Sequence, residues 1–154
     1  MRWPEKPTHL AYVREMAEKK AIHQIMPYVD LEFVATIPVV DGMSVLDVGC
    51  FNGRDLRHIW AYHPSCKLVG VDNLKKAIEY CKEKHADTHI EWAVADALKL
   101  PFKDHEFDIV YGNGLLSELQ VEDRSMAIAE MMRVGKKVYI CDLDKDNEFT
   151  YEIY

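Results

Sequence analysis

The segment from Val45 to Gly53 combines residue types that can hold a ligand beside a turn. An apolar run contains Asp47 near its end, and Gly49 and Gly53 follow it. Glycine lets the backbone approach a ligand closely or adopt a positive φ. In open α/β sheets, ligands bind outside the carboxyl ends of the strands. The pattern therefore predicts a strand, a ligand-binding turn and a helix, with a tight turn that binds no ligand as the alternative.

Two further carboxylates follow predicted strands. Asp72 ends the run Leu68–Val71, and Asp96 comes directly after another apolar run. An acidic residue after the second strand can accept both hydroxyls of a ribose, although Asp is also a favoured helix N-cap. Because parallel strands end at the same edge of a sheet, we expect Asp47, Asp72 and Asp96 to share one rim.

Alternation of short apolar runs with helical patterns supplies the elements that must position these carboxylates. The predicted strands cover 44–48, 67–71, 90–94, 107–111 and 137–141, and the predicted helices cover 55–62, 74–84 and 121–133. In the last helix we expect Ala127, Ile128, Met131 and Met132 to face inward. The stretch from Val94 to Phe107 is too short for a helix. This order predicts a doubly wound, mostly parallel sheet with helices on both faces.

The two ends of the chain predict additions to this sheet. Helical spacing over 8–26 and a short helix over 29–37 predict an N-terminal helical cap that covers the ligand. The alternating segment 149–153 predicts a short antiparallel strand on the fifth strand, with a frayed tail as the alternative. We expect one domain, with a cap over 1–40, a core over 41–142 and a C-terminal strand or tail over 143–154. An exposed fifth strand would favour a homodimer.

Composition narrows the classes of partner. The chain has 154 residues and a net charge of -7, which makes a nucleic-acid backbone an unlikely partner. No apolar run is long enough to span a membrane, and the N-terminal residues do not resemble a secretory signal. The four cysteines lack metal-site spacing and predict buried free thiols in a reducing, cytoplasmic compartment. His85 and His89 are four residues apart, but they fall where a helix should end, so we predict no metal site.

These segments resemble the class I S-adenosylmethionine-dependent methyltransferases. That family has an Asp/Glu-x-Gly-x-Gly-x-Gly turn, and Asp47–Gly53 matches it except that Phe51 replaces the middle glycine. The resemblance extends from about Gly42 to Asp142 and implies a Rossmann-like α/β sheet with the strand order 3-2-1-4-5. Members of the family usually continue past the fifth strand with another helix and two antiparallel strands, for which this chain has too few residues.

The resemblance implies S-adenosyl-L-methionine as the cofactor and assigns residues to it. The turn matches Asp47, Gly49, Cys50, Phe51, Asn52 and Gly53; the ribose position matches Asp72 with Asn73; the adenine position matches Asp96 with Ala97; and the methionine position matches Asn113 with Gly114. A nicotinamide enzyme would need a Gly-x-Gly-x-x-Gly turn, which the segment lacks.

The resemblance implies in-line methyl transfer to an acceptor. The Pro-Pro-aromatic segment and the Pro-Cys nucleophile of nucleic-acid methylases are absent, which favours a small molecule or a protein side chain. Tyr111, Asn113, Glu118 and His23 are possible general bases by position only, so no catalytic residue is assigned. The shortened C-terminal end keeps a second function open, namely a cofactor-binding subunit or sensor without transferase activity.

Overall fold

The computed structural model describes residues 33–143 and 149–154, with the backbone alone at positions 143 and 149. The strands are β1 (Ser44–Val48), β2 (Lys67–Asp72), β3 (Glu91–Val94), β4 (Phe107–Asn113), β5 (Gly135–Leu143) and β6 (Phe149–Ile153). A helical turn covers Phe33–Thr36, and the longer helices are α1 (Arg54–Tyr62), α2 (Lys75–Lys84) and α3 (Arg124–Val134). None of the helices within these ranges has the length and apolar composition needed to cross a bilayer.

All six strands form one sheet in the order β3-β2-β1-β4-β5-β6. The first five strands are parallel, and β6 is antiparallel to β5. Asp47 pairs in register with Gly70 of β2 and Tyr111 of β4, which sets it in the middle of the sheet. The predicted fold class, including the strand order and the antiparallel C-terminal strand, is confirmed.

Apolar side chains from alternate strand positions build a core on each face of the sheet. Val45 and Tyr111 face α1 and α2, where they join Leu56 and Ile78 in one cluster. Leu46 and other β1 to β5 residues face α3 and pack with Met131 in the second cluster. Strands buried on both faces are typical of parallel sheets, and this burial holds the carboxyl ends of the strands rigidly at one rim.

The crossover from β3 to β4 contains no helix within residues 95–106, as the sequence predicts. Instead, α3 fixes this loop through two side chains. The Arg133 guanidinium donates to the carbonyl oxygens of Phe102 at 2.8 Å and Leu100 at 3.0 Å. The Glu130 carboxylate accepts the N–H of Leu100 at 2.8 Å. The loop is therefore tied to the helix by charge-assisted hydrogen bonds.

The prediction that Met132 faces inward is wrong. Met132 is 46% exposed, whereas Ala127, Met131 and Val134 are fully buried. These three buried residues follow the spacing of one helical face, and Met132 lies about 100° around the helix from Met131. The apolar character of Met132 therefore does not place it in the buried stripe of the helix.

The C-terminal segment completes the edge of the sheet. Residues 149–153 pair with 139–143 of β5, and the backbone of Tyr154 exchanges two 2.9 Å hydrogen bonds with that of Val138. The Tyr151 ring packs 5.9 Å from the Phe33 ring, centroid to centroid. β6 therefore covers the edge of β5 within the same chain. The homodimer stays a prediction. The predicted N-terminal cap over 8–26 lies outside the described residues.

Candidate functional site

Two adjoining clefts open at the carboxyl ends of the strands. Among the predicted site residues, the cleft between β2 and β3 (the β2–β3 cleft) is lined by Gly49, Asp72, Asn73, Asp96 and Ala97. The cleft between β1 and β4 (the β1–β4 cleft) is lined by Asp47, Gly49, Cys50, Phe51, Asn52 and Asn113. Gly49 and Glu118 line both clefts, so the clefts adjoin at these residues, and together they are called the groove. Gly53 and Gly114 line neither.

The turn between β1 and α1 is built from three positions with positive φ. Gly49, Phe51 and Gly53 have φ values of 81°, 45° and 75°. The N–H groups of Gly49 and Cys50 both bond to the carbonyl of Val71, at 2.8 and 2.9 Å. The chain therefore adopts at Phe51 a left-handed conformation that a glycine would adopt without strain.

Phe51 keeps this conformation because its neighbours hold both of its backbone polar groups. Its N–H donates to the Asp72 carboxylate at 3.0 Å, and its carbonyl accepts the Cys81 thiol at 3.1 Å. Its ring is buried, and burial of a phenyl group offsets a strain of about 1–2 kcal/mol. All four cysteines are free and buried, as predicted, and one of them supports the turn.

At position 53 a glycine is required both by the positive φ and by the lack of space for a side chain. A Cβ at this position would lie 2.6 Å from the Trp92 ring and 2.8 Å from the His85 ring. His85 Nε2 lies 2.8 Å from the carbonyl oxygen of Asn52, so the imidazole braces the turn. Within residues 33–143 and 149–154, no group of three His, Cys, Asp or Glu side chains has the geometry to hold a metal ion.

Asp72 joins the turn to the groove. It is buried, and its two carboxylate oxygens accept the N–H groups of Phe51 and Leu74 at 3.0 and 2.9 Å. The N–H of Asn73 also interacts with this carboxylate, and acceptor capacity remains for a further donor, because a carboxylate has about four lone-pair sites. Burial, and then the charge of Glu118, raises the pKa of Asp72 to about 7 despite these hydrogen bonds. The groove therefore contains a carboxyl group that titrates near neutrality.

Asp47 lies beneath the β1–β4 cleft and is held by β4. The hydroxyl of Tyr111 donates to Asp47 at 3.0 Å, and both residues are buried. Burial, and then the charge of Asp55, raises the pKa of Asp47 well above its usual value. Tyr111 lines neither cleft, so it positions Asp47. At the cleft itself, the Asn113 amide donates to Asp55 at 2.8 Å.

Sequence reasoning assigned no cofactor role to three carboxylates at this rim, namely Asp55, Glu118 and Asp142. Asp142 follows Cys141 in β5 and accepts the N–H of Leu116 at 2.6 Å together with the hydroxyl of Ser117. Glu118, considered above only as a possible base, lines both clefts; burial, and then the charge of Asp142, raises its pKa to about 8. The signal for Asp142 was present, because it directly follows the predicted fifth strand.

The lining of the groove is strongly acidic. Its charged residues within the described part of the chain are Asp47, Asp55, Asp72, Asp96, Glu118 and Arg54. Arg54 is paired with Asp55 at 2.7 Å. Five carboxylates and one paired guanidinium favour a ligand that is positively charged where it meets them.

Comparisons with known proteins identify the family to which this chain belongs. A family model described as a methyltransferase domain matches residues 45–138, which is more than half of the chain. A tRNA (carboxymethyluridine(34)-5-O)-methyltransferase from Arabidopsis thaliana is 33% identical over 105 residues, covering 68% of this chain and 24% of that protein. The ubiquinone/menaquinone biosynthesis C-methyltransferase UbiE from Desulfotalea psychrophila is 35% identical over 93 residues, covering 60% and 37%.

A solved structure shares the fold. The phosphoethanolamine N-methyltransferase 1 of Haemonchus contortus, in complex with phosphoethanolamine and S-adenosylhomocysteine, superposes with a TM-score of 0.73 at 15% identity, covering 89% of this chain and 32% of that one. At this identity the likeness concerns the fold alone. The chain spans well under half the length of the two relatives above.

Proposed function

Because the chain belongs to the methyltransferase domain family, we propose that it is an S-adenosylmethionine-dependent methyltransferase. The acceptor in this proposal is a small molecule or a protein side chain, methylated by in-line transfer. The observation that carries the proposal is the pair of adjoining acidic clefts, in which the glycine-bearing turn and the strand-end carboxylates lie side by side.

The groove has the chemistry that this cofactor requires. S-adenosylmethionine carries a sulfonium and an ammonium group, and the carboxylates of the groove complement both. A Cβ at Gly49 would lie 3.1 Å from the Leu115 side chain, so glycine keeps the turn thin where a ligand must approach it. The residues present therefore fit the cofactor.

Each part of the cofactor has a matching group in this proposal. Asp72 accepts the ribose hydroxyls with its remaining lone pairs. Asp96, exposed and held in a turn by the N–H of Leu98 at 2.9 Å, accepts the adenine amino group beside Ala97. Asn113 lies in the β1–β4 cleft and faces the methionine end.

The protein's contribution to transfer is mainly one of alignment. When bound, S-adenosylmethionine supplies a methyl group that is already activated by its sulfonium. The rigid rim holds the cofactor so that an acceptor atom can approach in line at about 3 Å, and this positioning lowers the barrier. Tyr111 is too deeply buried to reach an acceptor, and the amide of Asn113 can orient an acceptor but cannot take up its proton, so Glu118 remains as the described candidate for a general base.

Charge favours a small or peptidic acceptor over a nucleic acid. The relative from Arabidopsis thaliana is a tRNA methyltransferase, but the net charge of -7 and the acidic groove repel a phosphate backbone. We therefore propose a neutral or cationic acceptor group and treat tRNA as a comparison substrate in the test.

The proposal is tested with methyl-labelled S-adenosylmethionine. Calorimetry should show one site per chain, and label should pass to a member of a panel of amines, phenols, quinones, peptides and tRNA. Saturable binding without transfer to any acceptor, in the presence or absence of co-purified proteins, would favour the alternative of a cofactor-binding subunit or sensor. Absence of binding would contradict both.

A further inference from the structure

The two clefts meet at Gly49 and Glu118. Under the proposed function, the adenosine part of the cofactor lies along the β2–β3 cleft and the methionine part along the β1–β4 cleft. The sulfur atom joins these two parts and therefore belongs near the junction. Gly49 offers only backbone there, so Glu118 is the charged side chain among the described residues shared by both clefts.

Glu118 is carried on a turn that is fixed in place. The turn Leu116–Glu118 follows β4, and the N–H of Glu118 donates to the Leu115 carbonyl at 3.0 Å. Asp142 of β5 anchors the same turn by accepting the N–H of Leu116 at 2.6 Å. Two strands thus position the turn that carries Glu118 at the junction, which limits the backbone conformational entropy lost on binding.

We propose that Glu118 is a specificity residue that favours the cationic S-adenosylmethionine over the uncharged thioether of S-adenosylhomocysteine. This inference rests on the proposed function. A carboxylate attracts a sulfonium strongly in a partly buried site, whereas a neutral thioether gains little from it. The two molecules differ only in this methyl group and its charge, so only carboxylates near the sulfur can discriminate between them, and Glu118 is the one that lines both clefts among the described residues. The effect would promote release of the product after transfer.

The discrimination should depend on pH. The charged groups around Glu118 on neighbouring elements are Asp47 at the end of β1, Asp72 at the end of β2, Asp142 on β5, Asp96 after β3, and Asp55 with Arg54 at the start of α1. Burial and Asp142 raise the pKa of Glu118 to about 8 in the free protein. Glu118 is therefore mostly neutral near pH 6.5 and mostly charged near pH 8.5, and the preference for a cation grows between them.

The test compares dissociation constants of three ligands by calorimetry. S-adenosylmethionine and sinefungin, in which an amine-bearing carbon replaces the methylated sulfur, are cationic at this position, and S-adenosylhomocysteine is not. We expect Glu118→Gln to weaken both cationic ligands about tenfold or more, the effect of one lost charged interaction. Binding of S-adenosylhomocysteine should change less than about twofold. Glu122→Gln removes an equal charge from the exposed neighbouring turn and should change none of the three.

The wild-type protein supplies a second measurement that needs no variant. Its preference for S-adenosylmethionine over S-adenosylhomocysteine should rise between about pH 6.5 and about pH 8.5, and the rise should become smaller in Glu118→Gln, in which Asp72 still titrates over part of this interval. An equal loss for all three ligands, or a pH-independent preference in the wild type, would overturn the role of Glu118 and leave the proposed function intact. Failure of the wild-type protein to bind any of the three would overturn the proposed function, and this inference with it.

Discussion

The two ends of the parallel sheet use their carboxylates in opposite ways. At the amino end, Lys136 and the Ser44 N–H and hydroxyl hold the pKa of Asp108 down, to about 2. Arg133 likewise lowers the pKa of Glu130. At the carboxyl end, burial raises the pKa of Asp72 to about 7 and that of Glu118 to about 8.

The carboxylates at the amino end therefore stabilise the fold, whereas the carboxyl groups at the carboxyl end are available to bind a ligand. Asp108 and Glu130 gain from cations that the chain itself supplies, so folding stabilises their ionised forms. Asp72 is buried and Glu118 is partly buried, and both lie near other carboxylates, so folding disfavours their ionised forms until a cation arrives. Perturbed groups that collect in one groove are typical of functional sites.

The largest expected effect comes from glycines at the two ends. Gly53→Ala at the carboxyl end should lower the free energy of unfolding by about 2–4 kcal/mol, because it adds an overpacked methyl group to the strain of a positive φ. Gly42→Ala, before β1 at the amino end, is the matched control: its φ is 85°, but no atom lies within 4 Å of the added Cβ. It should cost about 1 kcal/mol. Denaturant unfolding of both variants measures the difference, and equal losses would show that packing against Trp92 and His85 does not matter.

Removing a carboxylate from the groove should affect ligand binding. Asp72→Ala should weaken S-adenosylmethionine by roughly 1–3 kcal/mol, because it removes an acceptor for the ribose and for the N–H of Phe51. A 2′-deoxy analogue separates the two causes. If Asp72 binds the ribose, the analogue should lose less affinity in the variant than the natural ligand does. Calorimetry that gave unchanged affinity for Asp72→Ala would refute the ribose assignment.

The two ends should also give opposite slopes of stability with pH. Folded protein retains protons on Asp72 and Glu118 that the unfolded chain, with pKa values near 3.8 and 4.5, has already released. Stability should therefore fall as pH rises from about 5 to about 8, by at least about 1 kcal/mol. Below about pH 4, Asp108 acts in the opposite direction, because the unfolded chain then takes up the proton first.

Chemical denaturation at several pH values measures this profile. Glu118→Gln should flatten the slope between about pH 5 and about pH 8, while Glu122→Gln should leave it as in the wild type. Stability that rose over this interval would contradict the raised pKa values at the carboxyl end.

The smallest effect belongs to the amino end. Asp108→Asn should lower the free energy of unfolding by about 1 kcal/mol, because it weakens a half-exposed ion pair with Lys136 and the bonds to Ser44. Affinity for S-adenosylmethionine should not change. A variant with weakened binding and normal stability would show that the two ends are not separate in function.

Much of the fold, and the rim that carries the candidate site, could be predicted from the sequence. Runs such as Val45–Val48 and Leu68–Val71 define strands buried on both faces, and the strand order followed from the resemblance of the motifs around them. Asp47, Asp72 and Asp96 were expected at one rim because each follows a strand. The edge strand over 149–153 followed from its period of two.

The remainder depended on contacts that a linear pattern does not contain. That Phe51 adopts a positive φ required knowledge of Asp72 and Cys81, which are distant in sequence and bond to its backbone. The position of Glu118 depends on Asp142, far along the chain. Met132 was misplaced because neighbouring apolar residues do not reveal which of them faces the core.

The central claim, that the groove at the carboxyl end binds S-adenosylmethionine through its carboxylates, is tested most directly by proton-linked calorimetry. Titrations near pH 7.5 in buffers with different ionisation enthalpies report both the dissociation constant and the protons exchanged. We expect one site per chain and release of about half a proton or more, because a bound cation lowers the pKa values of Asp72 and Glu118. No saturable binding, or binding without proton release, would contradict the account.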